Sequence, residues 1–270
     1  YPMGLTIDGK RIHVSVKWPG SACSLVLTEE QGETAVFEMA PELRQGDVWN
    51  LTLETDRQIK GCFVYGFQTE QGWLPDPHGK VFRGREIWGA ETGFKRKLEA
   101  VAEQSVFDWG EDKRPQIPYE DCVIYKAHVR GFTKHPSSHV RDRGTFRAVM
   151  EKIPYMKKLG VTTLELMPVT EFNEVREETE VRMVKLPVDN QPPKLNYWGY
   201  GDSFLFAPKT SYSSGRRKHP DTELKTLVRE LHKNNMELVL ELYVSGKEDP
   251  SMVLDAVRYW AREYHIDGIH

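Results

Sequence analysis

The sequence predicts an antiparallel β part followed by an α/β part. Residues 1–90 contain short runs of alternating polar and apolar residues, such as Arg11 to Trp18, punctuated by glycines. From residue 121 onward, β-rich runs alternate with segments whose apolar residues recur at helical spacing. We therefore expect an all-β, immunoglobulin-like sandwich over 1–90, a connecting segment over 91–120 and an α/β region over 121–270.

Within the β part, further strands are expected at 24–28, 49–54 and 61–68. The stretch 73–80 interrupts this pattern because its two prolines cannot serve a central strand. The connecting segment is rich in charge and has few periodic apolar positions.

The α/β region shows four predicted strands and three predicted helical faces. Strands are expected at 123–129, 161–167, 238–242 and 266–269. The helical faces consist of Phe146, Val149, Met150 and Ile153, then Leu224, Leu227, Val228 and Leu231, then Val253, Ala256, Val257, Trp260 and Tyr264. Such alternation predicts parallel strands joined by right-handed crossovers, in an open sheet or in half of a (β/α)8 barrel. Periodicity does not decide between the two.

A long loop, 169–221, separates the second strand from its helix. Its length of roughly fifty residues far exceeds the usual two to six for such connections, so it is functional, disordered or a subdomain. The charge-dense stretch 174–180 is expected in solvent. The aromatic-rich stretch 195–212 is expected to be ordered.

Composition excludes several function classes. The net charge of -3 gives no basic footprint for nucleic acid, and no run approaches the roughly 18 to 20 apolar residues of a membrane span. Cys23, Cys62 and Cys122 are an odd, widely spaced set, which argues against a disulfide framework. No signal peptide is visible after Tyr1, although an initiator Met is also missing. We expect a cytoplasmic protein without metal or cofactor.

Three stretches resemble one enzyme family. They are Ile124 to Thr133, Leu164 to Phe172, and Asn196-Tyr197-Trp198-Gly199-Tyr200 continuing to Ser214. They are similar to barrel segments of glycogen-debranching enzymes, isoamylases and pullulanases in the α-amylase superfamily, glycoside hydrolase family 13. The first ninety residues, with Asp76-Pro77 near their end, resemble the family 48 carbohydrate-binding module that precedes such barrels.

The resemblance implies the N-terminal half of a (β/α)8 barrel that acts on the α-1,6 links of glycogen-like or pullulan-like glucans. It places Tyr200 against the glucose next to the scissile bond, with Tyr197 and Trp198 as further substrate contacts. Sugar rings carry apolar C–H faces that stack on aromatic rings, so an aromatic loop at the end of a strand suits this role. The alternative for Tyr197 and Trp198 is that they only pack the loop. His128 is expected to be a core histidine rather than a catalyst.

Four positions depart from the family pattern. The third strand of the family ends Asp-x-x-x-Asn-His, and the matching positions here are Glu241, Ser245 and Gly246. The fourth strand of the family reads Asp-Gly-Phe-Arg-x-Asp, and His270 occupies the arginine position. A neutral imidazole does not keep a neighbouring carboxylate ionised as a guanidinium does. We predict no catalytic residue within 1–270, since the family's carboxylates belong to later positions.

These observations leave several functions open. The first is a portion of a debranching-type α-glucan hydrolase, with an α-glucan as partner. The second is a degenerate homologue that binds α-glucan or serves a structural role. A glucan branching transferase is a weaker alternative, and a nucleotide-binding protein is weaker still because no Gly-x-Gly-x-x-Gly follows the first parallel strand. The sandwich itself either binds glucan weakly or only braces the barrel.

Overall fold

A computed structural model describes residues 2–29, 32–54, 62–90, 97–102, 106–175, 195–215 and 218–270 of the chain. It shows a β-rich N-terminal part followed by an α/β part built on a parallel sheet. Over these ranges, no helix combines the length and the apolar character needed to cross a lipid bilayer.

The N-terminal part contains two antiparallel sheets. Its described strands are β1 (Gly4–Asp8), β2 (Arg11–Lys17), β3 (Cys23–Glu29), β4 (Thr34–Glu38), β5 (Val48–Glu54), β6 (Phe63–Thr69), β7 (Gly72–Leu74), β8 (Phe82–Arg83) and β9 (Glu99–Ala102). One sheet has the order β1-β2-β5. The other has the order β4-β3-β6-β9-β8, with β7 paired to β6.

The two sheets share one hydrophobic core. Alternate residues of β2, including Val14 and Val16, point inward and meet Leu25 of β3 and Phe67 of β6. All four are fully buried, as is Trp49 of β5. The alternation seen in the sequence therefore marks the face of each strand that packs against the opposite sheet.

The predicted strands at 11–18, 24–28, 49–54 and 61–68 are confirmed as β2, β3, β5 and β6, with ends shifted by one or two residues; residue 61 lies outside the described residues. The remaining strands were not predicted, because most of them are short. β9 lies in the segment expected to connect the two parts, yet it pairs with both β6 and β8. The antiparallel sheet therefore extends past residue 90.

The α/β part contains four parallel strands in sequential order. Its elements are β10 (Ile124–Ala127), α1 (Val129–Thr133), α2 (Phe146–Met150), α3 (Ile153–Lys158), β11 (Thr163–Leu166), β12 (Thr170–Phe172), β13 (Ser203–Pro208), α4 (Pro220–Lys233), β14 (Glu237–Leu240), α5 (Pro250–Glu263) and β15 (Gly268–Ile269). The parallel sheet has the order β10-β11-β14-β15. The four predicted strands are thus confirmed, with shorter bounds.

Two predictions in this part were wrong in detail. The first parallel strand ends at Ala127 instead of Val129, because His128 caps the amino end of α1 by accepting a hydrogen bond from Gly131 N–H. The helix expected around Phe146 to Ile153 is divided into α2 and α3. Pro154 lies in the first turn of α3, where a residue without an N–H group starts a helix readily.

The two faces of the parallel sheet differ in chemistry. On one face, Leu164, Leu166, Leu238 and Leu240 are buried against α2 to α5. The opposite face carries Ile124, which is 56% exposed, together with charged residues described below. Parallel strands are usually apolar on both faces. The charged residues on this face therefore indicate a functional site there.

The predicted long loop contains an ordered hairpin-like pair of strands. Strands β12 and β13 pair in antiparallel fashion, and the stretch 195–212 is ordered as expected. Glu174, which was expected in solvent, is only 3% exposed. That expectation was wrong for Glu174 because a buried cation attracts its carboxylate; residues 176–180 of the same stretch lie outside the described residues.

This cation is Lys209, which is completely buried. Its Nζ atom lies 2.7 Å from Glu171 Oε1 and donates a hydrogen bond of 2.9 Å to the carbonyl of Phe172. Nζ also lies 2.7 Å from Glu174 Oε2, a charge contact outside hydrogen-bond geometry. Buried charges persist only when they are paired and hydrogen-bonded. Lys209 therefore fixes β12 and its following residues to the end of β13.

A second polar cluster joins the segment before β10 to the amino-terminal end of the parallel sheet. His232 Nδ1 lies 2.9 Å from Asp112 Oδ1, and His232 Nε2 lies 3.0 Å from Asp267 Oδ2. Asp112 also accepts from His265 Nδ1 at 2.8 Å. Burial opposes the charged ring, but the hydrogen bonds with Asp267 and Asp112 outweigh it and raise the pKa of His232.

The raised pKa of His232 predicts a pH-dependent contribution to stability. This contribution is fully present below the unfolded-state pKa of about 6.5 and is lost as pH rises through the higher folded-state value. We expect the difference in unfolding free energy between wild type and His232→Gln to shrink as pH rises above about 6.5, measured by urea denaturation. A difference for His232→Gln that is independent of pH would contradict the charged bridge.

Lys209→Met should strongly destabilise the fold, because it leaves the buried carboxylate of Glu174 without its cation and that of Glu171 with only Arg85, at 3.7 Å. We expect a loss of about 3–5 kcal/mol in unfolding free energy, measured by urea denaturation. Lys233 forms an exposed pair with Glu230 at 2.7 Å, so the control Lys233→Met should cost less than about 1 kcal/mol. Equal small losses for both variants would show that the buried pairs are energetically unimportant.

Candidate functional site

Tyr200 lies beside the carboxyl end of β14. Its hydroxyl donates to Glu241, with distances of 3.0 and 3.3 Å to the two carboxylate oxygens. The Tyr200 ring contacts Tyr243 edge-on, with centroids 5.5 Å apart, and the residue is 38% exposed. An exposed aromatic ring whose hydroxyl is fixed offers a rigid apolar face to a ligand.

A row of charged side chains continues from Glu241 across the sheet. Lys126 Nζ lies 2.9 Å from Glu241 Oε2 and 2.9 Å from Glu165 Oε1. His270 Nδ1 lies 2.7 Å from the same oxygen of Glu165. Since Lys126 and Glu165 are register partners in the parallel sheet, the four strands bring these side chains together at one edge. The result is a continuous polar row from Tyr200 to His270.

The charges of this row reinforce one another. Partial burial opposes the charged form of Glu165, but hydrogen bonds from His270 and Lys126 outweigh it and lower the pKa of Glu165. Burial likewise opposes the ammonium of Lys126, and the bonds to Glu241 and Glu165 outweigh it and raise the pKa of Lys126. Glu165 is therefore held as a carboxylate. At neutral pH it accepts hydrogen bonds and does not serve as a proton donor.

The backbone around Tyr200 is fixed by Asn196 and Gly199. Asn196 accepts from Gly199 N–H at 3.2 Å and donates to the carbonyl of Tyr200 at 3.1 Å. Gly199 has a φ of +83°, and a Cβ atom at this position would lie 2.7 Å from the ring of Phe172. Glycine is the residue that adopts this positive φ readily and has no Cβ atom to clash with Phe172. The backbone at Gly199 therefore packs closely against Phe172 of β12.

Tyr197 and Trp198 have different environments from Tyr200. Tyr197 stacks on His128 with ring centroids 4.5 Å apart, and its carbonyl lies 2.8 Å from His128 Nε2. Burial lowers the pKa of His128 to about 4, so its ring is neutral. His128 is a satisfied buried histidine, as predicted. Trp198 is 52% exposed and contacts Tyr197 edge-on. Its ring therefore has surface free for a ligand, whereas one face of the Tyr197 ring is covered by His128.

The positions that depart from the family pattern do not all face this row. Glu241 and His270 belong to it, as described above. Ser245 donates to Glu248 at 2.9 Å, and Gly246 N–H donates to the other oxygen of Glu248 at 3.0 Å. Ser245 and Gly246 therefore form a local turn stabilised by Glu248.

Lys126, Glu165 and Tyr243 were missed by the sequence analysis. A signal for two of them was present, because Lys126 lies between Tyr125 and Ala127 and Glu165 between Leu164 and Leu166, both inside apolar parallel strands. A charge within such a strand points to the face opposite the helices. The described residues contain no group of three or more His, Cys, Asp or Glu side chains arranged to hold a metal ion.

Comparison with known proteins places this geometry in context. No family model matches the chain. The glycogen debranching enzyme of Enterobacter sp. (strain 638) is 28% identical over 98% of this chain and 44% of the relative. Chloroplastic isoamylase 3 of Oryza sativa subsp. japonica is 28% identical over 89% of this chain and 39% of the relative. The chain thus spans about two fifths of the length of these curated relatives.

Solved structures show the same fold. The pullulanase of Paenibacillus barengoltzii in complex with maltohexaose and α-cyclodextrin gives a TM-score of 0.72 at 21% identity, over 99% of this chain and 48% of that one. The catalytic module of the glycogen-degrading pneumococcal virulence factor SpuA gives 0.72 at 20% identity, over 100% and 46%. By sequence, the chain is a homologue of isoamylases and glycogen debranching enzymes, the debranching group of glycoside hydrolase family 13, and by fold it is similar to pullulanases.

Proposed function

We propose that this chain is the α-glucan-binding N-terminal portion of a debranching-type glycoside hydrolase acting on α-1,6 links. The observation that carries the proposal is the exposed Tyr200 ring, whose hydroxyl is fixed by Glu241 at the carboxyl end of a parallel sheet. Substrate sites of barrels lie at this end of the strands. The homology to debranching enzymes supports the glucan as ligand.

We further propose that the parallel sheet is half of a (β/α)8 barrel. Its strands follow one another in sequential order, and the helices pack on one face, as in a barrel wall; a doubly wound sheet reverses its strand order instead. In this arrangement, the face with Lys126 and Glu165 is the barrel interior. The antiparallel part is then the module that braces the barrel, in line with its resemblance to family 48 carbohydrate-binding modules.

Contacts between the two parts support this bracing role. The Thr210 hydroxyl donates to the carbonyl of Phe82 at 3.1 Å, and the rings of Phe82 and Phe204 lie 4.4 Å apart. Lys17 pairs with Asp249 at 3.2 Å. Strand β13, which ends one residue before the buried Lys209, is therefore packed between the antiparallel sheets and the barrel-like part.

Tyr200→Ala should weaken the binding of maltotriose, because it removes the stacking face. We expect a loss of roughly two- to tenfold in affinity, measured by calorimetry. Tyr200→Phe keeps the ring and removes only the bond to Glu241, so it should lose less. As a matched control, the exposed Tyr155 of α3 should tolerate Tyr155→Ala without change in affinity. Unchanged affinity in Tyr200→Ala would reject the stacking role.

A second candidate function is glucan binding without catalysis. It is favoured by the bond between His270 and Glu165 and by the use of Ser245 and Gly246 in a turn around Glu248, because these positions carry sugar-binding and carboxylate-orienting groups in the family pattern. The two functions share the same glucan and differ in turnover.

Incubation of the intact protein with pullulan separates the two candidates. The debranching proposal predicts a steady release of reducing ends and products shortened at α-1,6 links. Maltotriose binding without release of reducing ends would favour the second candidate. A protein that neither binds maltotriose nor cleaves pullulan would contradict both.

A further inference from the structure

Contacts at three points hold the exposed ring of Tyr200. Asn196 donates to its backbone carbonyl at 3.1 Å, and Tyr243 meets the ring edge-on, with centroids 5.5 Å apart. The hydroxyl donates to Glu241 Oε1 at 3.0 Å. Because the hydroxyl lies at the far end of the side chain, this last contact fixes the direction in which the ring points. The orientation of the ring therefore depends on where the carboxylate of Glu241 lies.

The backbone alone does not set the position of this carboxylate. Glu241 directly follows β14, and its N–H donates to the carbonyl of Leu166 at 2.9 Å. Rotatable bonds separate that fixed backbone from the carboxylate, so a free glutamate side chain samples many rotamers. Within the part of the chain that the structure describes, the partners of the carboxylate are Tyr200 and Lys126.

Lys126 supplies the second anchor of this carboxylate. It lies in β10, which is two strands and therefore roughly 10 Å away from β14. Its side chain crosses β11 and places Nζ 2.9 Å from Glu241 Oε2 and 2.9 Å from Glu165 Oε1. An ammonium carries three donors around one positive charge, so it serves both carboxylates at once. Lys126 thus holds the group that the Tyr200 hydroxyl contacts.

Without Lys126, the two carboxylates would face each other as like charges. The side chains of Glu165 and Glu241 are only 12% and 13% exposed. Like charges that share a site repel each other, and partly buried charges are screened less than exposed ones. Removing the ammonium therefore favours rotamers of Glu241 that point away from Glu165 and leave the Tyr200 hydroxyl without its acceptor.

We infer that Lys126 is a positioning residue for Tyr200: it holds the carboxylate of Glu241 at the Tyr200 hydroxyl and thereby orients the ring, without contacting the sugar itself. The inference rests on the proposed glucan site, because it assigns Lys126 an effect on the affinity of that site. The orientation of Glu241 and Tyr200 is measurable without any sugar, so the structural part of the inference is tested separately.

NMR of protein labelled with ¹³C at the tyrosine Cζ atoms tests the structural part at neutral pH. The Cζ signal of Tyr200, identified by its loss in Tyr200→Phe, reports the hydrogen bond of the hydroxyl, and Glu241→Ala gives its position without that bond. We expect Lys126→Met to move the signal to the Glu241→Ala position. Lys126→Arg keeps the positive charge and should restore the wild-type position. A signal that stays in place in Lys126→Met, or moves in the opposite direction, would overturn the inference.

Calorimetry with maltotriose tests the effect on affinity. Lys126→Met should weaken binding roughly two- to fivefold, and Lys126→Arg should recover most of this loss. In Tyr200→Phe, the further change Lys126→Met should cost no additional affinity, because the hydroxyl through which Lys126 acts is gone. An equal loss in both backgrounds would show that Lys126 acts on the sugar without Tyr200 and would overturn the positioning role. Lys233, in its exposed pair with Glu230, provides the control: Lys233→Met should change neither the affinity nor the Cζ signal.

Failure of the glucan proposal and failure of this inference give different results. If Tyr200→Ala binds maltotriose as tightly as the wild type, the glucan site and the affinity effect of Lys126 are both rejected, while the Cζ signal still decides whether Lys126 orients Tyr200. Circular dichroism checks the fold of each variant. If Lys126→Met does not fold, Lys126→Gln, which keeps an N–H donor without the charge, replaces it in both experiments.

Discussion

The buried ammonium of Lys209 is the interaction on which the candidate site depends. It holds Glu171 and Glu174 in the interior, and the backbone carbonyl of Glu174 accepts a hydrogen bond of 2.7 Å from Asn196 N–H. Asn196 in turn holds the carbonyl of Tyr200. A buried charge thus fixes, through Glu174 and Asn196, the backbone that carries the exposed Tyr200 ring. Breaking a buried pair leaves an uncompensated charge, so this chain of contacts has a strong energetic reason to persist.

Aromatic packing continues this constraint into the rest of the molecule. Trp88 stacks on Tyr212 with centroids 5.5 Å apart, and Gly89 N–H donates to Glu174 at 3.2 Å. The segment between β8 and β9 of the antiparallel part therefore contacts the same cluster as Lys209. This cluster therefore contacts the site at the sheet edge, the long loop and the N-terminal part, which lie far apart in the sequence.

Sequence reasoning predicted the repeating parts of this structure and missed its long-range polar contacts. The apolar faces of β2, α4 and α5 are visible as periodic patterns, since each face packs on one core. The aromatic segment around Tyr200 is visible from its composition and its resemblance to debranching enzymes. By contrast, the burial of Glu174 depends on Lys209, and the role of Lys126 depends on Glu165 of the neighbouring strand and on Glu241, which follows β14. Such partners are distant in sequence and follow no period, so only the folded chain reveals them.

The central claim is that this buried network presents Tyr200 as a sugar platform. A crystal structure of the protein with bound maltotetraose tests it most directly. The account predicts a glucose ring stacked on the exposed face of Tyr200, with the bond between Tyr200 and Glu241 retained and Lys126 still between Glu165 and Glu241. A sugar bound elsewhere, with the Tyr200 ring left uncovered, would contradict it.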